Sequence, residues 1–141
     1  MFTKTSEYAL RAMIWIAQQG PGVTVSGPKI AEHTDVPRKY LSTIMGTLVR
    51  GGLLEAAPGR HGGFSLARAA KDISLAEVAG PFEPVLARKH SRCPFGNQEC
   101  SDAVPCGAHD RWKRVKASYL AFLENTSLHQ VAKRGRRATA R

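Results

Sequence analysis

A chain of 141 residues, 43% of them apolar, has room for one domain, or one small domain with an appendage, built on a small core. No apolar run approaches the roughly 20 residues of a bilayer span, and the first seven residues carry no signal-peptide pattern, so a cytoplasmic protein without a membrane partner is expected. The net charge of +10, from 21 Lys and Arg against 11 Asp and Glu, favours a polyanionic partner, nucleic acid before membrane. Residues 133–141 hold five of the basic side chains and no acid, leaving +5 for the rest. That tail reads either as a disordered, solvated end or as a DNA-binding arm.

Thr5 to Gln19 has helical periodicity, with Leu10, Met13, Ile14 and Ala17 on one face, and Gly20-Pro21-Gly22 stops it. Val23-Thr24-Val25 is a short extended piece. Ser26-Gly27-Pro28 opens a second helix over Pro28 to His33, anchored by Ile30 and Ala31. After a turn at Thr34-Asp35-Val36, a third helix runs from Pro37 to about Arg50 and ends at Gly51-Gly52. Two extended runs, Leu53 to Ala57 and Phe64 to Ala67, bracket a Gly/Pro-rich loop and predict a β-hairpin. A short helix follows from Ser74 to Ala79, capped by Asp72 or Ser74. Glu83 to Pro105 reads as loop. Gly107 to Asn125 predicts a long helix, striped by Trp112, Val115, Tyr119, Phe122 and Leu123.

Two helices joined by a tight turn and followed by a hairpin make a winged helix-turn-helix, a DNA-binding architecture. Its recognition helix enters the major groove by its N-terminal end, which would place Arg38, Lys39 and Tyr40 at phosphates and base edges. Ser42 and Thr43 would add hydroxyl contacts one turn along. The glycines of the wing would let its backbone pass close to the duplex, with Arg60 and His61 at the tip reaching a phosphate or the minor groove. The competing reading is a helical scaffold with a solvated surface hairpin. Exposed glycines beside an arginine are hard to justify by packing, and that favours double-stranded DNA as the partner. Leu41, Ile44 and Leu48 are core.

All three cysteines fall in one stretch, spaced Cys93-x6-Cys100-x5-Cys106, with His109 three residues later. They cannot all pair within one chain, and a reducing cytosol disfavours disulfides. The closely paired knuckles usual in structural zinc sites are absent. Thiolates spread along a Pro/Gly-containing loop suit a larger bridging ligand such as an iron–sulfur cluster, with zinc as the alternative. His109, on the first turn of the long helix, is either a fourth ligand or an ordinary helix-terminus histidine. Trp112 lies one turn further on, placed to shield the site.

These residues resemble the iron–sulfur winged-helix transcription regulators, the family that includes IscR and NsrR. The resemblance runs from about Thr3 to Val131. It is carried by Glu7-Tyr8-Ala9-Leu10-Arg11-Ala12-Met13, by Val36-Pro37-Arg38-Lys39-Tyr40-Leu41, by Gly51-Gly52-Leu53-Leu54, by the wing Gly59-Arg60-His61-Gly62-Gly63-Phe64-Ser65-Leu66 and by the three-cysteine loop. It implies a homodimer whose long helices cross, with Trp112, Val115, Tyr119 and Phe122 as the seam. It also implies a cluster whose gain, loss or oxidation shifts the dimer between DNA-binding geometries. Cys106-x2-His109 looks like members with three Cys and one His on a [2Fe–2S] cluster, favoured here over [4Fe–4S]. Glu7 occupies the first-helix position from which other members supply a carboxylate ligand, and is the alternative fourth ligand. The first cysteine gap is one residue longer than in the best-known members. Ser42 stands where some of them place glutamate, so their operator sequence does not carry over.

The expected protein is mainly α: a winged helix-turn-helix head (1–82), a cysteine loop (83–106), a dimerisation helix (107–132) and a basic tail (133–141). Its expected function is that of a DNA-binding transcriptional regulator, a repressor or dual regulator, controlled by a cluster that senses redox state, nitric oxide or cluster supply. The alternative keeps the DNA-binding head with a zinc site or a thiol switch. A metalloenzyme is disfavoured, because the loop offers only Glu99, Asp102 and Asp110 as acids or bases. A fully ligated metal site is also closed to a small-molecule substrate.

Overall fold

Among the described residues, most α-helix starts are set by a hydroxyl side chain. The computed structural model describes residues 2–83 and 92–133, so the start of the expected cysteine loop (84–91) and nearly all of the basic tail (134–141) lie outside the described residues. Thr3 caps α1 (Lys4–Gln18) by accepting from the Ser6 N–H. Ser26 does the same for α2 (Gly27–Thr34), with Pro28 in the first turn. Asp35 ends α2 at φ 57°, a left-handed conformation that a short polar side chain tolerates. Its turn delivers the chain to Pro37 and to α3 (Arg38–Arg50).

The wing is an antiparallel pair, β1 (Leu54–Ala57) and β2 (Gly63–Leu66), with Leu54 opposite Leu66 and Ala57 opposite Gly63. The extended piece before α2 joins it, since Val25 and Phe64 exchange two backbone hydrogen bonds of 2.9 and 2.8 Å. This explains two of the wing glycines differently from the sequence. A Cβ on Gly63 would stand 2.1 Å from the Val25 carbonyl oxygen, and one on Gly62 would stand 2.0 Å from that of Ala57. Packing does justify them; of the tip glycines, only Gly59 faces open space.

The core forms where α1 is enclosed by α2, α3 and the segments after the wing. Met13, Ile16, Ile30, Ile44, Leu48 and Leu54 are all essentially inaccessible. The buried face of α1 is Ala9, Ala12, Met13 and Ile16, rotated from the expected stripe, and Leu10, Ile14 and Ala17 are only partly covered. Ala9 and Ala12 allow neighbouring elements to come close, which larger side chains at those positions would prevent.

Beyond the wing, Ser74 and Glu77 form a reciprocal capping box on α4 (Leu75–Ala79). The long helix α5 (His109–Asn125) follows the cysteines. A single helix to residue 132 is not what forms. The chain breaks at Thr126, and a second capping box, Ser127 with Gln130, starts a separate helix α6 (Leu128–Ala132). Leu128 is fully buried in the head's core, and its N–H donates to the Ile73 carbonyl at 2.8 Å. The segment after α5 therefore returns to the head and completes it. Among the described residues, no helix is long and apolar enough to cross a membrane.

Candidate DNA-binding face and cysteine site

The recognition helix divides cleanly by period. Leu41, Ile44, Met45 and Leu48 turn inward, while Arg38, Lys39, Tyr40, Ser42 and Thr43 are exposed together at its N-terminal half. Tyr40 stacks on Tyr8 of α1 with ring centroids 6.1 Å apart, and the Lys39 ammonium lies 4.8 Å from the Tyr40 ring. These contacts hold the aromatic ring and the cation at the rim of the helix. Tyr8 and Lys4, whose ammonium sits 5.5 Å over the Tyr8 ring, thus join this face. Arg60 and His61 are exposed at the wing tip. Between wing and α2 lies a groove of about 520 Å3 lined by Lys29, His33, Arg60 and His61 with Trp15 and Gln19. The indole of Trp15 stacks on the His33 ring at 4.8 Å and fixes it there. Lys29 and His33 escaped the sequence reading, because only the folded wing brings them beside Arg60.

The cysteine site is built against one face of α5. His109, Lys113 and Lys116 follow one another at helical spacing along that face. The His109 backbone N–H donates to the Cys106 carbonyl at 3.1 Å, which fixes the entry into the helix. Its ring is nearly buried, with Nδ1 3.9 Å from the Cys100 sulfur and Nε2 2.7 Å from the Asp102 carboxylate. Lys113 reaches the same carboxylate at 2.9 and 3.0 Å, and Lys116 donates to the Cys100 sulfur at 3.5 Å. The His109 and Lys113 hydrogen bonds hold the Asp102 carboxyl below its usual range, and Asp102 in turn raises Lys113.

Cys93 is buried, and its sulfur accepts from the Phe95 N–H at 3.4 Å. Burial pushes this thiol up, but the backbone N–H groups of Phe95 and Asn97 and the Cys106 thiol outweigh it and leave it below the ordinary thiol value. Phe95 packs edge-on against Trp112 at 5.7 Å, so Trp112 covers the loop beside Cys93. All three cysteines are free thiols. Glu7 lies apart from them within one chain: on the first turn of α1, its ion pair among the described residues is with Lys4 at 3.7 Å.

Three thiols and an imidazole, with N–H donors on a sulfur, are the donor types that iron–sulfur clusters and zinc take. By donor chemistry the residues fit either group. They are gathered rather than converged, since among the described residues no three His, Cys, Asp or Glu side chains meet around one metal-sized point. At the start of α1, Glu83 is a buried carboxylate that accepts from the Thr3 N–H at 2.7 Å and from the Ser6 hydroxyl. The Tyr119 hydroxyl of α5 is buried nearby without a partner among the described residues. Burial, and then the Glu83 charge, push this phenol up. This junction joins the head to α5, and nothing in the local sequence announced it.

Residues 2–134 match the family profile Rrf2, described as an iron-dependent transcriptional regulator. A protein of Mycobacterium tuberculosis assigned as an HTH-type transcriptional regulator is 32% identical over 128 residues, spanning 90% of this chain and 78% of the relative. The HTH-type transcriptional regulator IscR of Cereibacter sphaeroides is 27% identical over 128 residues, 89% of this chain and 83% of that one. Among solved structures, that of T. potens IscR superposes with a TM-score of 0.70 at 26% identity, covering 94% of this chain and 86% of that one. The oxidized form of Staphylococcus aureus CymR superposes with a TM-score of 0.74 at 22% identity, covering 96% and 98%, and shares the fold.

Proposed function

We propose, from the premise that the chain belongs to the Rrf2 family of iron-dependent transcriptional regulators, that it is a homodimeric repressor whose operator binding is set by an iron–sulfur cluster on Cys93, Cys100 and Cys106. His109 is the proposed fourth ligand and Glu7 the alternative. One observation carries this reading: the loop holding all three cysteines is fastened to α5 through Cys100, His109 and Lys116, on the helix whose other side bears the exposed apolar stripe. A [2Fe–2S] cluster supplies a redox-active and labile centre whose presence biases the dimer between geometries. The chain's own residues do the rest. Arg38, Lys39, Tyr40, Ser42 and Thr43 read the major groove, while Arg60 and His61 hold the adjoining backbone. Lys29 and His33 extend that contact along the groove beside the wing. The proposed organisation is a head of residues 1–82 completed by α6, a cysteine loop of 83–106, α5 as the dimerisation helix and a basic tail.

The test is anaerobic purification followed by absorption spectroscopy and iron, sulfide and zinc analysis. A coloured protein with iron and sulfide, both lost in Cys100→Ala, is the expected result. Binding to its own promoter DNA should then differ between cluster-loaded and cluster-free protein. In the Arg60→Ala variant the salt dependence of binding is expected to shallow by about one counterion. Three free thiols, two of them partly exposed, favour a second reading, in which zinc or reversible thiol oxidation replaces the cluster. A colourless protein with stoichiometric zinc, or one whose DNA binding follows thiol oxidation without any metal, selects it.

A further inference from the structure

The loop's most specific contact lies outside the cysteines. His109 sits at the start of α5 with its ring buried, flanked by a carboxylate on one nitrogen and a thiol on the other. An ionised carboxylate only accepts hydrogen bonds, so the ring nitrogen 2.7 Å from Asp102 must carry the proton. That nitrogen is Nε2. In the neutral imidazole, the form that can ligate a metal, the lone pair is then on Nδ1, the atom that faces Cys100 at 3.9 Å. Asp102 is itself gripped by Lys113, one turn along α5 from His109, at 2.9 and 3.0 Å. One exposed carboxylate thus fastens the loop between Cys100 and Cys106 to two successive turns of the helix.

An exposed Asp–Lys pair by itself contributes little, since water screens it. The arrangement becomes informative because the third member is buried and points its other nitrogen at Cys100. Metal-ligating histidines characteristically donate their second N–H to a carboxylate or carbonyl, which fixes the tautomer and raises ligand basicity. We infer that Asp102 is a positioning residue for the metal site: it sets His109 in the Nε2–H tautomer and presents Nδ1 for ligation, with Lys113 holding the carboxylate in place. This rests on the proposed ligand role of His109 and specifies it, naming Nδ1 as the ligating atom.

Two readouts on wild type, Asp102→Ala and Lys113→Ala test it. Long-range 1H–15N correlation spectra of the metal-free, reduced proteins report the His109 tautomer directly. The wild type is expected to be Nε2-protonated, Asp102→Ala to lose that preference and Lys113→Ala to weaken it. After anaerobic reconstitution with ferrous iron and sulfide, loss of the cluster's visible absorption to a chelator is timed. Asp102→Ala is expected to lose it about 10–100-fold faster, the usual cost of removing such an outer partner. Asp102 is largely exposed, so alanine there leaves the fold intact, and unchanged far-ultraviolet circular dichroism checks this. An Nδ1-protonated wild type, or an alanine variant with unaltered tautomer and cluster lifetime, overturns the inference while the proposed function stands. A wild type that takes up neither iron nor sulfide overturns the proposed function, and with it the ligand role given to His109.

Discussion

At Gly63 the wing has no room for a methyl group. The residue sits at φ +153°, and a Cβ there would collide with the carbonyl of Val25, the residue that ties the extended piece before α2 to β2. Backbone strain at such a position costs about 1–3 kcal/mol before the collision is counted. Gly63→Ala is therefore expected to lower the urea midpoint and to weaken DNA binding together, because the wing is displaced from the head. Gly59 also has a positive φ, +99°, but a Cβ there meets nothing within 4 Å. Its alanine variant is expected to lose about 1–2 kcal/mol for handedness alone and to keep an ordered wing. Equal losses of stability and of DNA affinity in the two variants would contradict this account. Read as sequence, every glycine of the tip carries the same weight; the close backbone approach of Gly63 to Val25 is visible only in the fold.

At the scale of elements, two short helices are secured by matching devices. The capping boxes of α4 and α6 lie side by side, since Ser74 and Ser127 form a backbone bridge. Burial pushes the Glu77 carboxyl up, but the Ser74 N–H and the Arg68 guanidinium, 2.6 Å away, outweigh it and hold it below the carboxylate range. A carboxyl lowered in the folded state stabilises above its unfolded pKa, and the contribution is lost as pH falls through the folded value. Glu77→Gln is accordingly expected to reduce stability at neutral pH and to flatten the acid side of the stability profile. The change should be small, because the side chain is 42% exposed and screened. A chemical-denaturation series from pH 7 to about pH 3 that shows an unaltered acid limb contradicts it. Leu128 makes the larger contribution. Truncating this fully buried side chain to alanine is expected to cost about 2–5 kcal/mol, and a chain ending at Asn125 should fail to fold its head. Most element ends were legible because Ser26, Pro37 and Ser74 announce them locally. The long helix ends at Asn125, as its periodicity predicts, but the dimerisation unit of 107–132 runs on through Ser127-x-x-Gln130, the capping pattern that starts α6. What put Leu128 into the core, and His109 against Asp102, is long-range placement. The spacing of the cysteines named the donors, and only the fold supplies their neighbours.

For the whole molecule, charge and apolar surface make opposite demands. The stripe on α5 is split by burial: Leu123 is inaccessible inside the chain, while Val115 and Phe122 remain 47% and 53% exposed on the other side. They are the surface on which the proposed dimer would pair. Two protomers of net charge +10 repel each other, so apolar burial would have to drive the proposed pairing. Salt screens that repulsion but weakens contacts to phosphates. Dimer formation is therefore expected to tighten with added salt over the range in which DNA affinity falls. Sedimentation equilibrium and fluorescence anisotropy on the same samples separate the two trends. Phe122→Asp places a charge in the seam without touching the core, so it should give a folded monomer with unchanged helix content. Its affinity for a two-half-site operator should drop by about 10²–10⁴-fold, the size of the advantage that joining two binding heads confers. A single half-site should be bound as well as by the wild-type head. A variant that stays dimeric, or a monomer that holds the full operator undiminished, would move the seam off α5 and leave Val115 and Phe122 to another partner.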